Sequence, residues 1–523
     1  MAQISLSAHN LDAARRLWAF VADLILILLV IINSMRLFHH AMWRDELQAF
    51  MIATASSTPL DLFANLKNER HPGLWYLLLW FISRFTSDPV ALQAAHLLIA
   101  LGTWVLIWRV SPFRPVEKIL LLLSYSLFWQ YFVISRNYTL GVLLGFGFVA
   151  LMVYRPRQRL WPWVLAGLLA NTSVLGTIWS FALAALFAIR NRTEWRAMLP
   201  GAAIYAGLTA LAIGTMIPDA TLAGAKIPTS TTTDFSFVTW PVVSAFFPLY
   251  TPFVQDSLIL IGDMGPELSN MLVNPSPALS ALVLILPIFV LCTVKDRLLV
   301  ATYAATVIGI LLFVVIWHNG LSARQHGFLF VALISTVWMW RAGPGMPPSA
   351  NPRRAWASNG SLISWAWIAL LAVSALGGLT TLSSELDRPY SQSRNTAIWL
   401  ENHHLLDEFL IGSPGPNVSP VSGYLRRPLY YLDCECFGSY VKWTKATAVN
   451  LDLKDVLARV ARALDAEHSD TAIVIVSYPF DLDKQQLTSE LVFEPLERFP
   501  NAIQVDESYV VYRAKKVRIE HRS

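Results

Sequence analysis

Residues 17–38 read LWAFVADLILILLVIINSMRLF and directly follow Arg15 and Arg16. As a helix, about 20 mostly apolar residues span the ~30 Å hydrocarbon core of a bilayer. The stretch lacks a small-residue cleavage site and leads into further apolar runs. We therefore interpret it as a first membrane-spanning helix and not as a signal peptide. Comparable runs of roughly 15–22 residues recur as far as Leu382 and then stop.

The composition indicates the same class of protein. Of the 523 residues, 55% are hydrophobic and 14% are charged, whereas soluble domains are about 45–50% apolar and about 25% charged. Many of the 20 tryptophans lie near the ends of apolar runs, as in the aromatic belts of membrane proteins. Lys and Arg cluster beside the apolar runs, so the net charge of +5 marks membrane topology, and we expect no nucleic-acid partner.

Positive charge in short loops marks the cytoplasmic side of a membrane protein. If Arg15 and Arg16 are cytoplasmic, Lys and Arg dominate almost every alternate short loop, and the chain crosses the membrane about eleven times. The predicted spans are 17–38, 90–108, 119–134, 138–154, a short pair between 159 and 190, 199–217, 279–294, 298–317, 327–340 and 362–382. The N-terminus is then cytoplasmic, and residues 39–89 and 218–277 form two long outer loops.

Two apolar stretches inside these outer loops are interpreted differently. Residues 71–85 read HPGLWYLLLWFISRF, and counting them as spanning would place Arg109, Arg114 and Lys118 outside. We therefore expect a juxtamembrane helix in the outer interface. The same interpretation is given to residues 235–261.

The character of the chain changes after Leu382. Residues 471–477 (TAIVIVS) and 508–512 (SYVVY) predict strands, and residues 454–466 (KDVLARVARALDA) have helical periodicity. We expect a transmembrane domain over residues 1–383 and a small α/β extracytoplasmic domain over residues 384–523. Together they predict a polytopic α-helical membrane protein with a water-soluble C-terminal domain.

Two cysteines lie close together in this C-terminal domain, at positions 434 and 436. Two ligands at this spacing are a weak indication of a metal or redox site. The alternatives are two partly buried thiols, or a local disulfide if this side of the membrane is oxidising.

Ionisable residues collect on the predicted outer face, where charged groups in or beside membrane helices suggest function. A carboxylate can act as general base towards an acceptor hydroxyl or amine, and arginines suit the binding of a phosphate leaving group. A lipid-linked phosphate would place its head group at this interface and its tail between helices. The residues are Asp45, Glu46, Glu69, Arg70, His71, Arg136, His318, Arg324 and His326.

Several of these residues also have a structural interpretation, and the spacing leaves both open. His71, before Pro72, suits a plain interfacial turn. Asp45 and Glu46 suit the N-terminus of a juxtamembrane helix. Arg136 suits a helix end from which its side chain reaches the interface. His326, at the start of a helix, suits a packing role.

Four short motifs resemble those of the GT-C superfamily of membrane glycosyltransferases. The sequence is most similar to bacterial relatives of protein O-mannosyltransferases and of the lipid A aminoarabinose transferase. The motifs are WRDELQAF (43–50), HPGLWYLL (71–78), SRNYTLGVLL (135–144) and HNGLSARQHGF (318–328). The resemblance covers residues 15–385 in architecture. The departures include Gly73, where the family has a second proline, and the lack of a clear match to a first-loop lysine of the aminoarabinose enzymes, which argues against the same substrate.

The resemblance implies transfer of a sugar, with inversion, from a polyprenyl-phosphate donor to an envelope glycan, lipid or protein acceptor. It implies that Asp45 is the general base, that Glu46 orients the acceptor, and that Arg136 binds the donor phosphate. His71 would shape the first-loop site, and Tyr138 follows in the Arg136 motif as a further binding residue. We add Arg324 and His326 as donor-phosphate or acceptor contacts.

The family resemblance also suggests a bacterial inner membrane as the location. Some members of the superfamily use a divalent metal, but the carboxylates here form no clear ligand set, so we expect no essential metal or other cofactor. The alternative functions are a transporter or flippase of a lipid-linked substrate, and a membrane anchor for the C-terminal domain.

Overall fold

The computed structural model of the chain describes residues 8–217, 236–248, 277–317, 323–343, 361–383, 385–444, 451–477, 482 and 491–517. Helices dominate as far as residue 383, and a sheet with flanking helices follows. The helices are α1 (Ala8–His39), α2 (Arg44–Ala55), α3 (Pro59–Asn65), α4 (Leu74–Ser83), α5 (Val90–Val110), α6 (Pro115–Leu122), α7 (Asn137–Tyr154), α8 (Trp161–Ala170), α9 (Val174–Arg190), α10 (Trp195–Met216), α11 (Ser236–Phe246), α12 (Pro277–Cys292), α13 (Arg297–Trp317), α14 (Ala323–Ala342), α15 (Ser361–Thr380), α16 (Ser393–Asn402), α17 (Gly415–Leu425) and α18 (Leu453–Ala466).

The protein is an integral membrane protein. In the described residues, 6 helices are long and apolar enough to cross a membrane: Phe20–His39, Val90–Val110, Asn137–Tyr154, Arg192–Met216, Arg297–Ile316 and Ser364–Ser383. On α1, large apolar side chains such as Ile27, Ile31 and Met35 face outward and are more than half exposed, as suits contact with lipid.

Helical segments occupy every one of the predicted spans, but several do not reach full spanning length. The shorter apolar helices include Trp161–Ala170, Val174–Arg190 and Ala281–Cys292. α14 has the length of a span, but it begins with the polar sequence Ala-Arg-Gln-His. The number of about eleven crossings and their orientation therefore stay predictions.

One predicted span is broken. A single helix was expected over residues 119–134, but α6 is only 8 residues long and is followed by a π-helical turn at Ser126–Gln130. Donors from neighbouring helices bind carbonyl groups of this turn. The amide of Asn33 donates to the carbonyl oxygen of Phe128 at 2.9 Å, and the indole of Trp104 donates to the preceding carbonyl at 3.2 Å. Irregular backbone at membrane depth requires such internal partners.

The second long loop contributes to the helix bundle. α11 lies within residues 218–277, where we expected an apolar segment in the outer interface. It packs against α12 and α14, and Val242 and Phe246 are buried in the main hydrophobic cluster. Residues 218–235 and 249–276 of this loop lie outside the described residues, as does His318.

The C-terminal region, residues 385–517, contains one 6-stranded sheet in the order β3-β2-β1-β4-β6-β5. Its strands are β1 (Leu410–Ser413), β2 (Leu429–Tyr431), β3 (Cys436–Gly438), β4 (Thr471–Val476), β5 (Leu491–Phe499) and β6 (Tyr509–Lys516). β1 pairs in parallel with β2 and β4, and the outer pairings are antiparallel. The helix and both strands predicted in this region are confirmed; the division at residue 383 stays a prediction.

Alternation along β4 builds a core on each face of the sheet. Val474 and Val476 join the cluster beneath α18, while Ile473 and Ile475 join the cluster that includes α16 and α17, as the two-residue repeat of a strand requires. At the edge of the sheet Cys434 and Cys436 form a disulfide, which is one of the alternatives left open by the sequence.

The C-terminal region packs directly on the segment that follows α1. The amide of Met42 donates to the hydroxyl of Tyr424 at 2.7 Å. The guanidinium of Arg394 donates to the carbonyl oxygens of His39 at 2.9 Å and His40 at 2.6 Å. These bonds fix the chain between α1 and α2, the segment that leads into the acidic motif at residues 43–50.

Candidate active site

Asp45 is the centre of a cluster formed by three segments distant in sequence. It lies in the first turn of α2, and its side chain is 29% exposed. Nη2 of Arg324 lies 2.6 Å from Asp45 Oδ2, and Nη2 of Arg136 lies 3.8 Å from the same oxygen. Arg136 also donates through Nη1 to the backbone carbonyl of Asp45. The structure thus brings together three of the predicted site residues.

Helix starts position all three side chains. Arg136 is the residue that precedes α7, and Arg324 is the second residue of α14. Each arginine is supported by an aromatic ring: the Arg324 guanidinium carbon lies 4.9 Å from the ring centroid of Trp43, and that of Arg136 lies 5.9 Å from that of Tyr138. A ring beneath each guanidinium holds it in place and leaves its edge donors for anionic groups.

The arginines determine the charge of Asp45. Burial alone would raise the pKa of Asp45, but Arg136, Arg324 and Arg44 outweigh burial and lower it to about 2. Asp45 is therefore ionised at neutral pH and serves as counter-ion to two guanidinium groups. Any anion that binds these groups must compete with Asp45 for their donors.

Glu46 points away from this cluster although it is the next residue. It is fully buried. Its Oε2 lies 2.8 Å from Nε2 of His40, and its Oε1 accepts a hydrogen bond of 2.5 Å from the amide of Ser135. The other ring nitrogen of His40 lies 2.7 Å from Glu385. These contacts join the start of α2 to the loop before α7, and they leave Glu46 facing the protein interior.

Glu46 and Glu385 also set the charge of His40. Burial alone would lower the pKa of His40, but the carboxylates of Glu385 and Glu46 outweigh burial and raise it to about 10. The imidazole is therefore a cation between two carboxylates. The predicted catalytic role of Glu46 stays a prediction, and its geometry favours a structural contribution to the site.

His71 and Glu69 line the same polar region from the loop before α4. Nδ1 of His71 is buried and has no hydrogen-bond partner among the described residues. Burial lowers the pKa of His71 to about 3, and the charge of Arg136 acts in the same direction. The imidazole is therefore neutral at pH 7, with one ring nitrogen ready for a bound molecule.

Glu69 was not among the catalytic or binding residues chosen from the sequence. Its Oε1 accepts a hydrogen bond of 2.8 Å from Gln48, and its Oε2 lies 3.4 Å from the hydroxyl of Tyr76. Burial raises the pKa of Glu69 to about 7, and the nearby charge of Asp45 adds to the effect. In the sequence Glu69 stood out only as one of the ionisable residues collected on the predicted outer face.

Backbone geometry shapes this loop. Asn68 and Arg70 adopt left-handed conformations, with φ of 73° and 57°, and such conformations persist where the surroundings hold them. The side-chain amide of Asn68 donates to the backbone carbonyl oxygen of Trp443 at 3.1 Å. At Gly73 a Cβ atom would lie 2.6 Å from the ring of Phe63, so any larger residue at this position requires that ring to shift.

His326 is placed differently from the other predicted residues. It is fully buried, and its Nδ1 shares a hydrogen bond with the hydroxyl of Ser244 on α11. This contact ties the start of α14, which carries Arg324, to the second outer loop. A direct role of His326 in binding stays a prediction.

The described residues include no group of three or more His, Cys, Asp and Glu side chains that could hold a metal ion. Glu69 and His71 are close in sequence, but Asp45 is already paired with arginines. The expectation that no metal is essential stays a prediction.

An apolar cavity of about 240 Å³ opens between α11, α12, α13 and α14. Leu329, which lies five residues after Arg324 on α14, is one of its lining residues. At 1.5 Å per helical residue, five residues correspond to about 7.5 Å along the helix. α14 therefore carries an arginine of the polar cluster and, about one and a half turns further on, a wall of the apolar cavity.

No protein-family model matches the chain, and none of the curated proteins does. Among solved structures, the fold is similar to ArnT from Cupriavidus metallidurans bound to undecaprenyl phosphate, with a TM-score of 0.48 and 14% identity over 94% of this chain and 97% of that chain. The apo state of the same ArnT gives a TM-score of 0.44 and 13% identity, covering 96% of this chain and 98% of that one.

A third similar structure is the arabinofuranosyltransferase AftD from Mycobacteria. Its TM-score is 0.36 and its identity 14%, over 94% of this chain and 39% of AftD. At these identities the similarity concerns the arrangement of the backbone, and it assigns no activity to this chain.

Proposed function

We propose that the protein is a glycosyltransferase that moves a sugar from a polyprenyl-phosphate donor to an acceptor hydroxyl or amine at the extracytoplasmic face of a bacterial inner membrane. The acceptor belongs to an envelope glycan, lipid or protein. The observation that carries the proposal is the pairing of one partly exposed carboxylate, Asp45, with two arginines held on aromatic rings. This arrangement offers a phosphate site and a base in one place.

In the proposed reaction the donor phosphate binds Arg324 and Arg136. Charge-assisted hydrogen bonds to phosphate are strong and favour guanidinium groups. The phosphate takes donors that Asp45 holds in the free protein, so the basicity of Asp45 increases when the donor is bound. The donor thereby prepares the base that the next step needs.

The acceptor oxygen or nitrogen then attacks the anomeric carbon from the face opposite the phosphate. Its bond to that carbon forms while the carbon–oxygen bond to the phosphate breaks, and the sugar is transferred with inversion. Polyprenyl phosphate leaves with the electron pair of the broken bond, and Asp45 accepts the acceptor's proton. The arginines stabilise the charge that develops on the leaving phosphate.

Two other groups suit the acceptor. The free ring nitrogen of His71 and the carboxylate of Glu69 lie beside Asp45 on the loop before α4. We assign them to hydrogen bonds with the acceptor. The apolar cavity beside α14 suits isoprene units of the donor, since its lining residues are almost entirely apolar.

The test uses purified protein in lipid vesicles with a polyprenyl-phosphate sugar labelled in the sugar. The proposal expects label in an acceptor product together with release of free polyprenyl phosphate in equal amount. Movement of the intact donor across the bilayer, with no bond cleavage, would refute the proposal in favour of a flippase.

A further inference from the structure

A short turn of the C-terminal region reaches the first residue of α2. This turn, Val505–Glu507, precedes β6. Oε1 of Glu507 accepts a hydrogen bond of 3.0 Å from the amide of Arg44, the first residue of α2. The side chain of Arg44 in turn pairs with Asp506 at 2.6 Å. Both the backbone and the side chain of the residue before Asp45 are therefore held by consecutive acidic residues, from a segment more than 450 positions away.

The surroundings of this contact are themselves fixed. Nη1 of Arg44 also donates to Oδ1 of Asn417 at 2.6 Å, and the hydroxyl of Tyr509 donates to the backbone carbonyl of Asn417 at 2.7 Å. The carbonyl oxygen of Glu507 accepts a bond of 3.1 Å from the amide of Gln392. The turn and its contact with Arg44 are therefore hydrogen-bonded to two other parts of the C-terminal region, at Asn417 and Gln392.

Glu507 is fully buried, which sets it apart from acidic residues on the surface of the sheet. A buried carboxyl group needs a hydrogen-bonding reason for its position. Free amides at the start of a helix attract carboxyl oxygens because the helix dipole is positive there. The amide of Arg44 is such a group, and Glu507 is its partner.

We propose that Glu507 is a positioning residue for Asp45: it caps the first turn of α2 from the C-terminal region and fixes the direction in which Asp45 meets the two arginines. On the other side of Asp45, Arg136 holds its backbone carbonyl. The Trp43–Arg44 and Asp45–Glu46 peptide units, on either side of the Arg44–Asp45 bond, are thus held by different parts of the chain. The expected effect on sugar transfer rests on the proposed function, whereas the expected effect on the order of the first turn of α2 does not.

The cap does not depend on a negative charge. Burial raises the pKa of Glu507 to about 8, against the opposing charge of Arg44, so the group is largely neutral at pH 7. A neutral carboxyl or a carboxamide still accepts the amide hydrogen through its carbonyl oxygen. Glu507→Gln should therefore preserve the cap, whereas Glu507→Ala should remove it.

The experiment compares the full-length wild type, Glu507→Ala, Glu507→Gln and the control Glu494→Ala. Glu494 lies on β5 of the same sheet, is exposed, and pairs with Lys515 at 3.7 Å. Hydrogen exchange of the peptide 40–52 measures the cap directly. Donor kcat and KM, measured with a polyprenyl-phosphate sugar, measure its effect on transfer. Asp506→Ala, at a partly exposed position, serves as a milder variant if Glu507→Ala is not recovered folded.

We expect Glu507→Ala to raise exchange in peptide 40–52 alone and to lower kcat about tenfold with donor KM nearly unchanged. Glu507→Gln should keep both the exchange of peptide 40–52 and kcat close to wild type, as should Glu494→Ala. Asp506→Ala should show a smaller rise in exchange than Glu507→Ala. Unchanged exchange in Glu507→Ala and Asp506→Ala, or a loss in Glu507→Gln equal to that in Glu507→Ala, would overturn the proposal. If no variant, wild type included, transfers sugar, the proposed function fails, while the exchange result still decides the role of the cap.

Discussion

Replacing Arg324 with alanine tests whether the polar cluster binds the donor phosphate. The substitution removes a guanidinium that lies 2.6 Å from Asp45 and 4.9 Å above Trp43. The backbone carbonyl of Arg324 keeps its bond to the Tyr131 hydroxyl at 2.7 Å, so the start of α14 should stay in place. The expected effect is therefore local to the phosphate site.

The magnitude follows from the kind of bond that is lost. A hydrogen bond to a charged group contributes about 1.5–3 kcal/mol, and 1.4 kcal/mol corresponds to a factor of ten in affinity. Arg324→Ala should therefore raise donor KM by about 10- to 150-fold. Arg136 remains to hold the phosphate, so kcat should fall by a smaller factor than KM rises.

The assay measures initial rates of label transfer across a range of donor concentrations in detergent. Direct binding of unlabelled polyprenyl phosphate gives an affinity that does not depend on turnover. Arg84→Ala is a matched control, since Arg84 also stacks on a tryptophan, with its guanidinium carbon 5.3 Å from the ring centroid of Trp80. Its hydrogen bonds go to Ala53, Thr54 and Ser83, away from the Asp45 cluster. A donor affinity in Arg324→Ala equal to that in Arg84→Ala would refute the assignment of the phosphate site.

Three further predictions concern other parts of the structure. Glu69 is neutral below about pH 7 and ionised above it, so wild-type kcat/KM for the acceptor should rise through pH 7. Glu69→Gln should flatten that rise, and an identical pH profile in wild type and variant would exclude Glu69 from acceptor binding. Glu46→Ala leaves the buried His40 cation with one carboxylate partner instead of two, so it should lower the free energy of unfolding by about 3–5 kcal/mol and with it the thermal midpoint. An unchanged midpoint would contradict the structural role of Glu46. Gly378→Ala places a Cβ atom 1.9 Å from the carbonyl oxygen of Leu123, so it should destabilise the helix bundle by about 1–3 kcal/mol. The control Gly207→Ala meets nothing within 4 Å and should leave the thermal midpoint unchanged; equal midpoints in the two variants would contradict the close helix contact at Gly378.

Sequence periodicity predicted the helices well because each depends on its own local pattern. α5, α7 and α13 begin and end within a few residues of the predicted bounds. The break between α6 and the π-helical turn was missed because it depends on donors from Asn33 and Trp104. No local pattern indicates that distant side chains will satisfy the freed carbonyl groups.

Individual residues of the site could be predicted from the sequence, but the contacts between them could not. Motif resemblance selected Asp45 and Arg136, Arg324 was added from its own chemistry, and the structure joins the three across 91 and 279 positions of sequence. Resemblance also treated Asp45 and Glu46 as a pair, but adjacent helical residues point in different directions. Asp45 therefore faces the arginines, while Glu46 faces His40 in the interior.

Contacts between the C-terminal region and α2 were beyond prediction from sequence. Glu507 and Arg44 are 463 positions apart, and nothing in the local sequence of either residue indicates the other. Glu69 was named among the ionisable residues of the outer face but given no role, because its raised pKa depends on burial, which only the folded chain creates. Residues of this kind are found from packing and not from motifs.

The most direct test of the central claim compares wild type with Asp45→Asn in one transfer assay. Purified proteins in detergent are incubated with a panel of radiolabelled polyprenyl-phosphate sugars and a membrane extract as acceptor, after equal folding has been verified. We expect transfer from at least one donor by wild type and none by Asp45→Asn, because the amide cannot accept the acceptor's proton. Equal transfer by both proteins would contradict the assignment of Asp45 as base, and no transfer by folded wild type from any donor would contradict the proposed function.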